Sequence, residues 1–250
     1  MSANYCSQEQ LQQMAQRAGL HLSEADLAFV TLFRPYCADQ LALSALQSSS
    51  QVQVTNTEEQ IVFLPRDGAS VGLIFYPGAR VEAEAYAVFL HEMARWGYAT
   101  FLPKMPLGLA VFGRDHAATL ISASPAIQTW VLGGHSMGGG MACEFVATHA
   151  NVRGLLLYGT FPGCDLSRRK DLAVTLIYGI QDAVITPAQV TGARSKLPTQ
   201  TRYVEISGGT HSFFGDYGQQ DGDGQATISR EEARLQILKA SHALFQQLEQ

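Results

Sequence analysis

Residues 131–140 read VLGGHSMGGG, and this stretch decides how the rest of the chain is interpreted. An apolar run ends in the pattern G-x-S-x-G around Ser136, and small residues then open a segment with helical character. The order strand, tight turn, helix is typical of a nucleophile elbow, in which the serine is held in a strained backbone conformation with its hydroxyl exposed. Gly134 and Gly138 flank the serine because a Cβ atom would clash in so tight a crossing.

The alternative interpretation of this stretch is a chance glycine-rich loop. The apolar strand before it and the helix after it favour the catalytic interpretation. Serine alone is a weak nucleophile at neutral pH, so it needs a base, and the base needs a carboxylate to orient it. After an elbow these partners follow in the order Ser, Asp or Glu, His, and they lie just beyond the carboxyl ends of the strands.

Asp182 is the predicted carboxylate. It ends the sequence LIYGIQD at residues 176–182, directly after a predicted strand. A turn or capping aspartate is the alternative interpretation. Asp165 and Asp171 are the competing candidates, but the first is typical of a turn and the second precedes a strand.

His211 is the predicted base, in the sequence GGTHSFF at residues 208–214 that follows the last predicted strand. A surface loop histidine is the alternative. His135 lies within the elbow, where packing beside the serine is the better interpretation. The remaining histidines fall in predicted helices, at a helix start or in the N-terminal region: His21, His91, His116, His149 and His242.

An oxyanion intermediate needs two preorganised N–H donors. Met137, the residue after the predicted nucleophile, is one candidate. Ala79 is the other, from the sequence YPGAR that follows the third predicted strand, although Gly78 could donate in its place. The predicted substrate-binding residues surround this position and are mostly apolar, which favours an uncharged acyl group: Gly78, Met105, Phe161 and Phe213.

Apolar runs alternate with helical patterns from residue 51 onward. The predicted strands are 51–55, 60–64, 71–76, 98–102, 129–133, 154–158, 173–178 and 202–206. The predicted helices are 81–96, 111–123, 140–149 and 187–196, with a last helix that begins after Ser229 and carries Leu235, Leu238, Leu244 and Phe245 to the core. This order predicts an α/β fold: a mostly parallel, eight-stranded sheet with helices on both faces.

Residues 1–50 are predicted to be a helical extension packed on a catalytic domain at 51–250. Ser7 and Gln10 form a capping-box pattern, Ser23 precedes an acidic first turn, and the leucines at 41–46 suggest a third short helix. These helices are expected to cover an edge of the domain; a partial cap, a membrane-leaning patch or an oligomer surface are the alternatives. Only about a dozen residues, 159–171, separate the sixth and seventh strands, so no large cap domain is expected.

The composition of the chain argues against several classes of binding partner. The 250 residues are 46% hydrophobic and carry a net charge of −5, which argues against nucleic acid and anionic membranes. We expect a small-molecule ester substrate, a monomer or homodimer, and no integral membrane segment. No cofactor or metal is expected either. Residues 216–225 resemble a calcium loop only superficially, because they lack the third acidic position and the closing glutamate. The four cysteines lack C-x-x-C spacing and are interpreted as reduced thiols, which with the absence of a signal-peptide pattern predicts a cytoplasmic protein.

The chain resembles the α/β-hydrolase superfamily across roughly residues 51–250. Four stretches carry the resemblance: LIFYPGA at 73–79, PKMPLGLAVFG at 103–113, GGHSMGG at 133–139, and residues 208–232. More narrowly, it is similar to small lidless bacterial esterases related to the dienelactone hydrolases, although the dienelactone hydrolases proper use cysteine where this chain has Ser136. The resemblance implies the α/β-hydrolase fold and a serine esterase that acts through an acyl-enzyme. A thioesterase, a lipase-like hydrolase and a non-catalytic ligand-binding protein are the alternatives.

Overall fold

Eight strands form one sheet in the computed structural model, which describes residues 5–17 and 34–249. Their spatial order is β1-β2-β4-β3-β5-β6-β7-β8. The strands are β1 (Val52–Asn56), β2 (Gln60–Pro65), β3 (Val71–Tyr76), β4 (Ala99–Pro103), β5 (Thr129–His135), β6 (Val152–Tyr158), β7 (Ala173–Gly179) and β8 (Arg202–Ile206).

The sheet is mostly parallel, as predicted. β1 pairs antiparallel with β2, and β2 pairs antiparallel with β4, whereas every pair from β4 through β3 to β8 is parallel. All residues of β3, β4 and β7 are buried, which explains why their sequences read as continuous apolar runs rather than alternating ones. The parallel strands bring their carboxyl ends to one edge, where β3, β5 and β7 end close to the predicted site residues.

Helices cover both faces of the sheet. The described helices are α1 (Gln8–Arg17), α2 (Gln40–Ser44), α3 (Ala87–Arg95), α4 (His116–Ala123), α5 (Met137–Thr148), α6 (Pro187–Gly192) and α7 (Arg230–Leu248). One core cluster joins α2, α3 and α7 to the sheet, and a second cluster on the opposite face joins α4, α5 and α6. The fold is therefore the three-layer α/β arrangement that the alternation predicted.

The last helix differs from its prediction in one residue. Ser229 and Glu232 form the predicted capping box, and Leu238, Leu244 and Phe245 are buried. Leu235 is 63% exposed, so its predicted place in the core is wrong. At 100° per residue, Leu235 lies well off the helix face that carries the other apolar side chains.

The N-terminal helices are described in part. Ser7 and Gln10 cap α1 reciprocally, with Gln10 N–H donating to Ser7 Oγ at 3.1 Å. The leucine-rich segment forms α2, which Asp39 caps through the N–H of Ala42. The predicted helix after Ser23 lies outside the described residues.

The four cysteines form two disulfides, which corrects the prediction of reduced thiols. Cys6 pairs with Cys37, and Cys143 pairs with Cys164, with Cα–Cα distances of 5.1 and 6.3 Å. Their sequence separations of 31 and 21 residues give no local signal of pairing, and only the fold brings the partners together. Disulfides are typical of oxidising compartments, so the cytoplasmic prediction loses its main support.

Among the residues that the structure describes, none of the helices combines the length and apolar character needed to cross a bilayer.

Candidate active site

The elbow has the backbone geometry that its sequence predicts. Ser136 adopts φ 52° and ψ −121° between β5 and α5, and its N–H donates to the carbonyl of Tyr158 at 2.9 Å. A Cβ on Gly138 would lie 2.2 Å from the carbonyl oxygen of Tyr76, and one on Gly134 would lie 2.5 Å from the Gly138 carbonyl carbon. The start of α5 therefore crosses the end of β3 at a distance that only glycine permits.

Asp182 and His211 are brought together by β7 and β8. Asp182 Oδ2 lies 2.8 Å from His211 Nδ1, and the two residues are 3% and 1% exposed. Because a buried carboxylate needs hydrogen bonds, its other oxygen is also engaged: Asp182 Oδ1 accepts the N–H groups of Val184 at 2.9 Å and Ile185 at 2.7 Å. The carboxylate is thus fixed by the turn after β7, with one oxygen aimed at the imidazole.

The half-buried Ser136 lies beside this pair. The His211 ring centroid is 4.4 Å from that of His135, the residue before Ser136, and a Cβ on Gly159 would lie 3.2 Å from His211 Nδ1. Among the described residues, Ser136 Oγ has no hydrogen bond to His211. Such bonds are often long before a substrate binds.

The two competing aspartates have other partners. Asp165 accepts the N–H of Ser167 at 2.9 Å in an exposed turn, and Asp171 pairs with Arg169 at 3.0 Å. In the described part of the chain, neither has a hydrogen bond or an ion pair with a histidine.

The loop after β8, residues 207–229, is held by two residues that the sequence interpretation missed. Asp223 accepts the N–H groups of His211 at 3.0 Å and Ser212 at 2.8 Å. Arg230 donates to the carbonyls of Ser212, Gly215 and Gly218, and its guanidinium lies 4.7 Å from the Phe213 ring centroid. The backbone at His211 is therefore fixed from both sides.

A buried tyrosine joins the elbow to the loop after β3, residues 77–80. Tyr86 Oη accepts the N–H of Gly78 at 2.9 Å and lies 2.9 Å from His135 Nδ1. Burial holds the pKa of His135 well below its ordinary value, with His211 adding to the effect, and burial raises the pKa of Tyr86. Both groups are therefore neutral at physiological pH.

The two predicted oxyanion donors are both partly accessible to solvent. Ala79 and Met137 are both half-buried, whereas Gly78 is buried and its N–H is already bonded to Tyr86. Arg80 has φ 60°, and its N–H donates to the carbonyl of Gly108 at 2.9 Å. This bond joins residues 77–80 to the loop after β4.

The predicted lining residues are only partly at the surface. Phe161 and Phe213 are half-buried, but Met105 is 8% exposed and packs into the core cluster that contains α5. The exposed apolar side chains of the loop after β4 are instead Leu107, Val111 and Phe112, at 86%, 51% and 60% exposure. That loop therefore presents an apolar surface next to residues 77–80.

A comparison with known protein families identifies the family of the chain. Residues 72–235 match the model of the alpha/beta hydrolase family, which is well over half of the chain. The chain therefore belongs to the alpha/beta hydrolase family. No curated protein matches the chain.

Proposed function

We propose that this protein is a serine carboxylic-ester hydrolase for small or medium acyl groups. Membership of the alpha/beta hydrolase family indicates a hydrolase that acts on a small molecule. The observation that carries the proposal is the buried 2.8 Å contact between Asp182 and His211 beside a serine held at φ 52°. Strain at a non-glycine residue together with a buried carboxylate–imidazole pair is typical of an activated nucleophile.

The mechanism is acyl transfer in two halves. His211 takes the proton from Ser136 Oγ as the oxygen attacks the ester carbonyl carbon, and Asp182 stabilises the resulting imidazolium. The negative charge that develops on the carbonyl oxygen is stabilised by the N–H groups of Met137 and Ala79. His211 then protonates the leaving alcohol, and water repeats the sequence on the acyl-enzyme.

Ala79 is the better candidate for the second oxyanion donor. The N–H of Gly78 already donates to Tyr86 Oη, so it would have to break a buried hydrogen bond to bind an oxyanion. Ala79 is half-buried and follows Gly78 directly. Gly78 then contributes to the site by allowing the close approach of the loop rather than by contacting the substrate.

An uncharged, apolar acyl group suits the surroundings of the site. Phe161 and Phe213 are half-buried beside it, and Leu107 and Phe112 are exposed on the adjoining loop. The exposed apolar side chains also favour a second candidate, a lipase-like hydrolase of longer acyl esters. The proposal includes the relation to the dienelactone hydrolases that the sequence suggested, but not their reaction, because those enzymes use cysteine where this chain has Ser136.

The proposed cellular location is based on the two disulfides. Two cysteine pairs favour an oxidising compartment over the expected cytoplasm. We also propose that the protein is a monomer or a homodimer in solution.

Hydrolysis of a chain-length series of p-nitrophenyl esters, beside an acyl-CoA, tests the proposal. We expect turnover of the shorter esters by the wild type, and a loss of at least about a thousandfold in Ser136→Ala. Ser122→Ala, an exposed serine on α4, is the matched control and should retain wild-type rates. A preference for long chains would favour the lipase-like reaction, a preference for the acyl-CoA a thioesterase, and turnover by Ser136→Ala would contradict the assignment.

A further inference from the structure

The hydrogen bonds around Tyr86 have a fixed direction. Gly78 N–H can only donate, so Tyr86 Oη is the acceptor of that 2.9 Å bond and its own proton is free for His135 Nδ1, also at 2.9 Å. The neutral imidazole of His135 then carries its proton on Nε2. The three groups form one chain of bonds from the loop after β3, through Tyr86, to the residue next to Ser136.

The space at Gly78 is shaped to this pair. A Cβ on Gly78 would lie 2.8 Å from His135 Nδ1 and 3.1 Å from Tyr86 Oη. The side chains of Tyr86 and His135 therefore occupy the volume that any larger residue at position 78 would need. Tyr86 is 1% exposed and His135 is 0% exposed, so water cannot replace either partner without a structural change.

From these contacts we propose that Tyr86 and His135 are a positioning pair that fixes residues 77–80, and with them the N–H of Ala79, for oxyanion binding. This inference rests on the proposed function, because it assigns a role in oxyanion binding to the hydrogen bond between Gly78 and Tyr86. Neither side chain is needed to touch the substrate. The pair acts through the loop backbone, by holding the amide that precedes the oxyanion donor.

The pair also places a neutral ring against His211. The ring centroids of His135 and His211 are 4.4 Å apart, and His135 is buried against both the ring and the backbone of His211. A charge on His135 at this distance would oppose the imidazolium that forms on His211. The Tyr86 hydroxyl keeps His135 in one tautomer and one orientation, so the contact with His211 remains one between a neutral and a charged ring.

Tyr86→Phe is the test, because it removes only the hydroxyl and keeps the packing. Tyr178→Phe is the matched control: Tyr178 is equally buried and donates to Glu205 at 2.6 Å, on β8 and away from residues 77–80. Two quantities are measured, the hydrogen exchange of a peptide that covers residues 77–80 and the steady-state kinetics on the best p-nitrophenyl ester.

We expect Tyr86→Phe to lose exchange protection at Gly78, because its N–H has no remaining acceptor. We expect kcat to fall about tenfold with KM unchanged, since loss of a whole oxyanion donor costs about a hundredfold or more and here the donor is only displaced. The affinity of Tyr86→Phe for a trifluoromethyl ketone, which forms a tetrahedral adduct with the serine, should fall by the same factor. The acid limb of the kcat/KM profile should stay in place, because the Asp182–His211 contact is untouched.

The two proposals fail in different ways. Wild-type exchange and wild-type kcat in Tyr86→Phe, as in the control, would overturn the positioning pair while the hydrolase stands. A fall in kcat without any loss of exchange protection at Gly78 would also overturn it, because the hydroxyl would then not act through the loop. An inactive wild type would overturn the proposed function, and loss of protection at Gly78 in Tyr86→Phe would still show that Tyr86 holds the loop.

Discussion

At the scale of single residues, the elbow is a strained turn that its neighbours make possible. Ser136 keeps φ at 52°, a region that non-glycine residues rarely adopt. The strain persists because β5 and α5 fix both sides of the turn and because Gly134 and Gly138 leave room for the crossing. The sequence predicts this geometry since each of the required small residues lies at a fixed distance from the serine.

Two glycines of α5 allow a matched test of that account. Gly138→Ala places a Cβ 2.2 Å from the Tyr76 carbonyl oxygen, whereas Gly140→Ala meets nothing within 4 Å. We expect Gly138→Ala to destabilise the fold by about 3 kcal/mol or more, as overpacking against backbone does. Gly140→Ala should stabilise the protein by about 0.5–1 kcal/mol through its helix propensity. Urea unfolding measures both, and equal effects of the two changes would contradict the close crossing.

His135 gives the stability of the fold a pH dependence. Burial lowers its pKa in the folded state, so below about pH 6.5 the unfolded chain takes up a proton that the folded protein does not. Its contribution is therefore complete above pH 6.5 and is lost as the pH falls toward the lowered folded pKa. We expect the free energy of unfolding to decrease as the pH falls below about 6.5, because the unfolded chain gains a proton at this group that the folded protein does not.

His135→Gln should remove the contribution of His135 to the pH dependence of the free energy of unfolding. Urea unfolding of both proteins across the same pH range measures it. Equal slopes in the wild type and the variant would show that His135 titrates normally in the folded state.

At the scale of elements, a disulfide joins the helix of the elbow to the loop after β6. Cys143 lies at the middle of α5, and Cys164 lies in the loop that contains Phe161. The bond fixes the loop against the helix whose first turn forms the elbow. Neither cysteine has a sequence signal that identifies its partner, so the pairing could not be predicted from the sequence.

Loss of this disulfide should lower the stability of the fold rather than the catalytic activity. The bond closes a segment of 21 residues, for which the loss of chain entropy in the unfolded state is worth about 3 kcal/mol. We expect the double variant Cys143→Ala/Cys164→Ala to melt several degrees below the wild type. Calorimetry measures the shift, and thiol alkylation of the denatured, unreduced wild type should label no cysteine. Labelling there would contradict the pairing.

The loop after β8 shows why some site residues escape a sequence interpretation. His211 has a signal, because it follows a predicted strand and two glycines. Asp223 and Arg230 lie 12 and 19 positions further along the chain, and their hydrogen bonds to the backbone at 211–218 depend on how the loop folds back. Side chains that bind backbone groups need no particular spacing, so no pattern marks them in advance.

At the scale of the whole molecule, periodicity predicted the architecture well. The eight strands, their mostly parallel order and the helices on both faces follow from buried apolar runs that alternate with helical patterns, and β3 and β8 have the bounds expected. Leu235 and the cysteines were misinterpreted because exposure on a helix and distant pairing are tertiary properties. Tyr86 was missed for the same reason: its partners Gly78 and His135 are neighbours only in the folded chain.

The central claim is that Ser136 is an activated nucleophile, and intact mass after treatment with a fluorophosphonate tests it most directly. A fluorophosphonate modifies a serine whose hydroxyl is activated by an adjacent base. We predict a single adduct on the wild type, the same adduct on Ser122→Ala, and none on Ser136→Ala. A folded wild type that remains unmodified, or an adduct that persists on Ser136→Ala, would contradict the assignment of Ser136, His211 and Asp182 as a catalytic triad.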